Sequence, residues 1–202
     1  MLTVDDHPLL REGIATVIGA QPEMVLAGEA ADGKNGIRQY RQLKPDVTLM
    51  DVRLPDMSGI DALIAIRAEF PEARVIMLST FQGDVEIQRA LAAGARGFLL
   101  KTLPPADLVA GIRQVHGGRK CMPVDVAIAL ADHYAEEALT GREVEILTLV
   151  AAGNRNREIA NALAITEDTV KVHVKHVMEK LGASDRTQAV VIAVRRGILH
   201  LS

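Results

Sequence analysis

The sequence predicts an α/β protein, a doubly wound five-stranded parallel sheet, followed by a small all-α domain of four helices. Three observations carry this. Over residues 1–118 short β-rich runs alternate with helical patterns five times, and repeated β/α units place a parallel sheet between two layers of helices. The runs at 47–50 and 75–78 are apolar or nearly so throughout, as in strands covered on both faces. From Thr140 onward strand patterning stops and only helical spacing remains. The length, 202 residues, accommodates one or two such domains.

The β-rich runs stand at Leu2–Val4 (a stub), Met24–Glu29, Val47–Met50, Val75–Leu78 and Gly97–Leu100, with helical patterns at about 8–20, 34–44, 59–70, 84–93 and 105–117. Turn formers separate them: Asp32-Gly33, Pro45-Asp46, Pro55-Asp56, Ser58-Gly59 and Pro71. Gly117-Gly118 closes the first domain at residue 118. Residues 119–138 read as a linker, with a short helix expected over 124–134, and 139–202 as the second domain. There, Thr140 with Glu143 forms a capping box for a helix over 141–152 that Gly153 stops. A second helix covers 156–163, Thr166 caps a third running to Gly182, and Asp185 with Gln188 boxes a last one that ends at Gly197.

Composition narrows the classes. With 49% apolar and 24% charged residues, the chain has enough material for a core and is not of the disordered type. Three Phe, two Tyr and no Trp make that core aliphatic. The single cysteine, Cys121, excludes an internal disulfide and a cysteine-based zinc site and is expected to pack as a small hydrophobe. The opening MLTVDDH has neither the charge nor the apolar run of a secretion signal. No run approaches the roughly 20 apolar residues that span a bilayer, so a cytoplasmic protein without a membrane partner is expected. Net charge is −3, but unevenly spread: 121–139 carries four acids and no Lys or Arg, whereas 140–202 carries nine Lys/Arg against seven Asp/Glu. A weakly basic tail permits DNA binding without demanding it.

The strand ends hold the chemistry. Asp5 and Asp6 follow the first strand, Asp51 the third, Ser79 the fourth and Lys101 the fifth. In a parallel sheet all carboxyl ends lie on one edge, where such folds bind ligands. Any one of these acids alone reads as a turn former or helix cap; the conjunction reads as a pocket. Three close carboxylates repel each other, and a hard divalent cation with oxygen ligands, Mg²⁺, relieves that. A carboxylate beside Mg²⁺ can accept a phosphoryl group, with Lys101 and the Ser79 hydroxyl on its oxygens.

The stretches VDDHPLLREGI, LMDVRLPDMSGIDAL, VIMLST and GARGFLLK resemble the receiver domain of response regulators, over residues 1–118. The resemblance implies a flavodoxin-like fold with Asp51 as phosphoacceptor. It implies Asp5 and Asp6 as the acidic pair, and Asp6, Asp51 and the Arg53 backbone carbonyl as Mg²⁺ ligands. Ser79 and Phe98 become the switch pair, and Lys101 holds the phosphoryl group. The first strand is several residues shorter than receivers usually show. Ser79 stands where Thr is commoner, and Thr102 follows Lys101 where many receivers have Pro. His7 is read as a helix-start residue.

Residues 156–181 form a helix, a turn and a longer helix. On the longer one Val170, Val174, Val177, Met178 and Leu181 share a face at 100° per residue, the buried stripe. Val172 and Lys175 lie opposite, with Lys171 at the edge. An apolar residue between lysines suits a recognition helix, where lysines reach phosphates or guanines and the apolar side chain meets a thymine methyl. The segment from Leu139 to Leu199 resembles the LuxR-type helix-turn-helix domain. The resemblance implies DNA contact by Lys171, Val172 and Lys175, with Thr169 and His173 nearby. Arg155 replaces the Ser or Thr that commonly caps the scaffold helix. His173 and His176, i and i+3, lack a third ligand for a metal.

Receiver plus LuxR-type domain is the NarL/FixJ arrangement. It implies a phosphorylation-dependent transcription regulator that takes its phosphoryl group from a sensor histidine kinase, dimerises and binds double-stranded DNA. Two rivals fare worse. An Mg²⁺-dependent phosphatase using an aspartyl phosphate commonly carries a second acid two residues on, which Asp51-Val52-Arg53 lacks. A constitutive DNA-binding protein would not need the intact pocket.

Overall fold

A computed structural model describes residues 1–80, 83–122, 124, 127 and 137–199. The chain divides into two compact units, Met1–Phe81 with Ile87–Ile128, and Gln82–Glu86 with Ala129–Ser202.

The first unit carries strands β1 (Leu2–Val4), β2 (Gly28–Ala30), β3 (Thr48–Asp51), β4 (Val75–Ser79) and β5 (Gly97–Leu100). Its helices are α1 (Pro8–Gly19), α2 (Gly33–Leu43), α3 (Gly59–Glu69), α4 (Asp84–Ala92), of which the part from Ile87 belongs to this unit, and α5 (Pro105–His116). All strand pairs are parallel, in the order β2-β1-β3-β4-β5. The order reverses between β1 and β3, and such a switch point is where open α/β sheets bind ligands.

Alternation along the strands fixes the two faces. Leu49, Ile76, Leu78 and Leu99 pack with Ile14 and Ile18 of α1 and Ile112 and Val115 of α5. Met50, Met77 and Phe98, aligned across β3, β4 and β5, are fully buried on the opposite face. The strand expected over 24–29 is corrected to Gly28–Ala30. β1 offers only Leu2, Thr3 and Val4 as ladder partners; before Gly28 only Met1 pairs with this stretch, its amino group donating to the Val25 carbonyl and its carbonyl accepting from the Ala27 amide, each at 2.7 Å, while Met24 and Leu26 pack beside the core.

Cys121 is buried in this same core. Its amide donates to the Arg96 carbonyl at 2.9 Å and its carbonyl accepts from the Phe98 amide at 3.0 Å, a parallel bridge at Gly97. The stretch 119–122, placed in the linker by the sequence, therefore begins against β5. The helix expected over 124–134 falls almost wholly outside the described residues.

The second unit contains α6 (Gly141–Ala151), α7 (Asn156–Ala162), α8 (Glu167–Lys180) and α9 (Arg186–Arg195). Its core joins Ile146, Leu147, Ile159, Val170, Val177 and Ala193. On α9 Ala189 and Ala193 are buried in that core, Val190 and Ile192 are half-buried and Val191 is exposed. The capping box at α6 is complete: Glu143 N–H donates to Thr140 Oγ1 at 3.3 Å, and Thr140 N–H donates to Glu143 Oε2 at 2.7 Å. At α9 the box differs. Asp185 accepts from the Gln188 amide at 2.8 Å, but the Gln188 side chain reaches the Ser184 amide at 2.6 Å, one residue early.

Lys180 ties α8 to this cap, its ammonium 3.0 Å from Glu143 Oε2. Burial alone would raise the Glu143 carboxyl; the Thr140 amide, Lys180 and the Thr140 hydroxyl outweigh it and hold the pKa below the usual glutamate range. A depressed acid stabilises the fold above its unfolded pKa and loses that contribution as pH falls through the folded value. Helix α6 is therefore expected to loosen on acidification below about pH 4. Thr140→Ala, which removes the cap oxygen, is expected to cost about 1 kcal/mol. Hydrogen exchange of the α6 amides against pH in both proteins checks both statements; unchanged protection contradicts them.

Candidate functional site

Asp51 ends β3, Ser79 ends β4 and Lys101 follows β5, so the sheet's parallel register delivers all three to one edge. The Lys101 amide donates to the Ser79 carbonyl at 2.8 Å, which fixes the root of the lysine. Its ammonium, only 8% exposed, lies 2.7 Å from Asp5 Oδ2 and 2.7 Å from Asp51 Oδ2. Asp5 and Asp51 are themselves buried. The lysine thus bridges the two strands that flank the switch point.

The turn after β1 is held from its backbone. Asp5 Oδ1 accepts from the His7 amide at 2.9 Å, and the Arg11 guanidinium donates to the Asp5 carbonyl at 2.5 Å. The His7 ring follows this turn inward: Nδ1 lies 3.0 Å from Asp5 Oδ1 and 2.7 Å from Asp6 Oδ1. His7 does stand at the N-cap of α1, before Pro8, but its side chain makes no capping bond. Sequence reading placed His7 at the helix start and missed its part in the pocket; spacing gave no signal for the direction of the ring.

The loop after β3 is equally fixed. The Arg53 amide donates to Asp51 Oδ1 at 3.1 Å, and Asp56 accepts from the Gly33 and Lys34 amides at 2.7 and 3.0 Å. Gly59, the first residue of α3, donates to the Val52 carbonyl at 2.9 Å. A Cβ on Gly59 would stand 1.8 Å from the Asp51 carbonyl oxygen, so only glycine lets α3 start this close to the site. Sequence reading took Gly59 as a turn signal alone.

Burial pushes the Asp51 carboxyl above the usual aspartate range, against the Lys101 ammonium and Arg53 amide, with the Asp5 carboxylate adding to the rise. Three carboxylates against the one Lys101 ammonium leave the site net negative. One ligand atom each from Asp5, Asp6, His7 and Asp51 lies within 4.8 Å of the others, a donor set that could hold a divalent cation; its three carboxylates suit a hard ion such as Mg²⁺. Ser79 is buried at the edge of the same crevice, while Phe98 is fully buried beneath it on β5.

In the second unit α8 presents Thr169, Lys171, Val172 and Lys175 to solvent, and His173 at the flank. Val172 is 52% exposed; of the predicted stripe Val170, Val177 and Leu181 are buried, and Val174 and Met178 are half-buried against the same core. Each lysine has an acid on its own helix: Lys171 lies 3.0 Å from Asp168 and 3.6 Å from Glu167, and Lys175 lies 3.5 Å from Glu179. The hydrogen bond and charge of Asp168, with the charge of Glu167, raise the Lys171 pKa against a smaller opposing effect of desolvation. Arg155 makes no side-chain cap at α7; Glu158 takes the Arg155 amide at 2.6 Å. Among the described residues no helix is long and apolar enough to cross a membrane.

Comparison with known proteins matches both units. Residues 1–113 fit the family described as response regulator receiver domain, and residues 137–193 fit bacterial regulatory proteins of the luxR family. The response regulator protein VraR of Staphylococcus epidermidis is 38% identical over 205 residues, covering 99% of this chain and 98% of that protein. The crystal structure of the response regulator ChrA, from a heme-sensing two-component system, is 32% identical with a TM-score of 0.58, covering 98% and 97% of the two chains. RcsB of Salmonella enterica serovar Typhimurium, solved bound to promoter P1flhDC with the phosphomimetic BeF3-, is 26% identical with a TM-score of 0.75, covering 95% of each chain.

Proposed function

The chain belongs to the two-component response regulators that join a receiver domain to a LuxR-type DNA-binding domain, and from that premise we propose that Asp51 is its phosphoacceptor and that phosphorylation releases the C-terminal domain to bind DNA as a dimer. The single observation that carries this is Lys101, buried and ion-paired at once with Asp5 and Asp51, 2.7 Å from each. A lysine so placed can follow a phosphoryl group onto the Asp51 oxygen.

In this reading Asp51 Oδ attacks the phosphorus of a sensor histidine kinase's phosphohistidine. The P–N bond breaks and its electrons return to the donor imidazole. Asp5, Asp6, Asp51 and the Arg53 carbonyl would hold Mg²⁺, which when bound would screen charge on the incoming group. The phosphoryl group brings about −1.5 to −2 units of charge, by analogy with hydroxyl phosphates. Lys101 and the Ser79 hydroxyl turn toward it, and Phe98 rotates into the space beside Ser79. The BeF3- and promoter held by RcsB support an analogous sequence here.

The test is whether Mg²⁺ with a beryllofluoride phosphate mimic raises oligomeric state and DNA affinity together, and whether Asp6→Ala abolishes both responses. A chain that binds DNA equally with and without the mimic refutes the switch.

For DNA contact we propose Lys171, Val172 and Lys175, with Thr169 and His173 beside them. Lys175→Ala is expected to weaken binding on all sequences and lower the salt slope by about one unit. Val172→Ala is expected to alter preference among sites instead, because contact with a thymine methyl reads a base. Salt-dependent binding to a panel of duplexes separates the two; identical profiles for both variants contradict the assignment.

A further inference from the structure

The open face of α8 carries an acid among its basic and apolar residues. At about 100° per residue, Asp168, Val172 and Lys175 fall within about 60° of one another, opposite the buried Val170 and Val177. The Asp168 side chain is 89% exposed, and its Oδ1 lies 3.0 Å from the Lys171 ammonium. Helix stability does not call for this acid. Thr166 already caps α8, its hydroxyl accepting from the Thr169 amide at 3.1 Å, and Glu167 already places a negative charge in the first turn. An exposed ion pair three residues apart adds little more. Beside DNA, a carboxylate in this place repels phosphates and weakens binding to every sequence, unless it meets a donor on a base edge.

The pair is matched to such an edge. Asp168 and Lys171 present an acceptor and a donor 3.0 Å apart. The major-groove edge of a G·C pair presents the reverse, guanine O6 as acceptor beside the cytosine N4 amine as donor. Those two atoms are joined by the base pair's own N–H···O bond and so lie about 2.9–3.0 Å apart. Of the three ammonium hydrogens one goes to Asp168, which leaves two for guanine O6 and N7, and the carboxylate keeps lone pairs for the N4 amine. In an A·T pair the adenine N6 amine stands between the two acceptors, N7 and thymine O4. Asp168 is also the second residue of α8, and it is the first residues of a recognition helix that reach base edges.

We infer that Asp168 and Lys171 act as one unit that reads a G·C pair, which makes Asp168 a specificity-determining residue of the DNA interface. The inference rests on the reading that this face of α8 enters the major groove. It adds that Asp168 disfavours wrong sequences by repulsion and is compensated at the right one by the cytosine amine, so both effects favour the same site.

The experiment uses the full chain with Mg²⁺ and beryllofluoride. Wild type and Asp168→Ala each select duplexes from a randomised pool. Affinities are then measured for the wild-type site, for that site with each base pair exchanged, and for an unrelated duplex. The wild type is expected to require G·C at one position of each half-site and to lose about tenfold when it is exchanged. Asp168→Ala is expected to lose less than about threefold there, and to bind the unrelated duplex about threefold more tightly. Replacing that cytosine by pyrimidin-2-one, which lacks the N4 amine, is expected to weaken the wild type and to leave the variant nearly unchanged. A wild-type motif without such a G·C pair, wild-type affinity indifferent to the N4 amine, or a variant that keeps the wild-type motif overturns the inference while leaving the Val172 and Lys175 contacts in place. If the wild type binds no duplex, the reading of α8 as the DNA-contacting helix fails and takes the inference with it.

Discussion

Asp51→Asn is expected to reduce incorporation of acid-labile phosphate from stoichiometric to none, with the receiver still folded. The amide is nearly isosteric with the carboxylate but has no nucleophilic oxygen. Structure adds a reason for the fold to survive. Lys101 keeps its partner Asp5 at 2.7 Å when Asp51 loses its charge. Asp51 also has a raised pKa, with burial as the leading cause. An acid raised on folding costs stability at pH 7 and returns it only as the pH falls toward its folded value. The neutral amide removes that cost, so in the absence of cation the variant should be no less stable than the wild type. Phosphorylation with a small donor such as acetyl phosphate, read beside a thermal melt, checks both halves. Retained phosphate would move the acceptor elsewhere.

Gly59→Ala is expected to be the most damaging single-methyl change in the first unit. The added carbon would meet backbone, with the Asp51 carbonyl oxygen at 1.8 Å and its carbon at 2.9 Å, and the Met50 side chain lies 3.2 Å away. Side chains can yield to a new methyl group, but a strand locked into a central ladder cannot do so cheaply. Overpacking of this kind costs about 3 kcal/mol or more, which for a domain of this size lowers Tm by about 10 °C or more. The displaced atoms belong to the phosphoacceptor itself, so phosphorylation should fall with stability. Gly13→Ala is the control: it adds the same methyl group inside α1 with nothing within 4 Å. It should stabilise by about 0.5–1 kcal/mol. Similar melts for the two variants would contradict the steric argument.

Much of this site was legible beforehand because parallel strands send their carboxyl ends to one edge. That rule alone brought Asp5, Asp51, Ser79 and Lys101 together, and the helix periods placed Val172 and Lys175 on the open face of α8. What escaped depended on pairing or on side-chain direction. The Met24–Leu26 run has strand composition, yet strand length is decided by the partner, and β1 is three residues long. The direction of the His7 ring follows from the turn that its own amide makes onto Asp5, which no spacing encodes. The acids beside Lys171 and Lys175 are a different case. Glu167 and Asp168 precede Lys171 by four and three residues, and Glu179 follows Lys175 by four, so the spacing rule for helical ion pairs held a signal that the reading of the recognition helix left unused.

The bridge at Cys121 bears on where the receiver ends as a folding unit. An edge strand with bare amides and carbonyls is a template for another chain. At the outer side of β5 those groups, the Phe98 amide and Arg96 carbonyl, are taken by Cys121. A receiver cut after Gly118 would lose this cover, and its β5 would be open to edge-to-edge association between molecules. The few residues beyond α5 serve as a selvedge on the sheet, and solubility, more than phosphorylation chemistry, is what their removal would reveal.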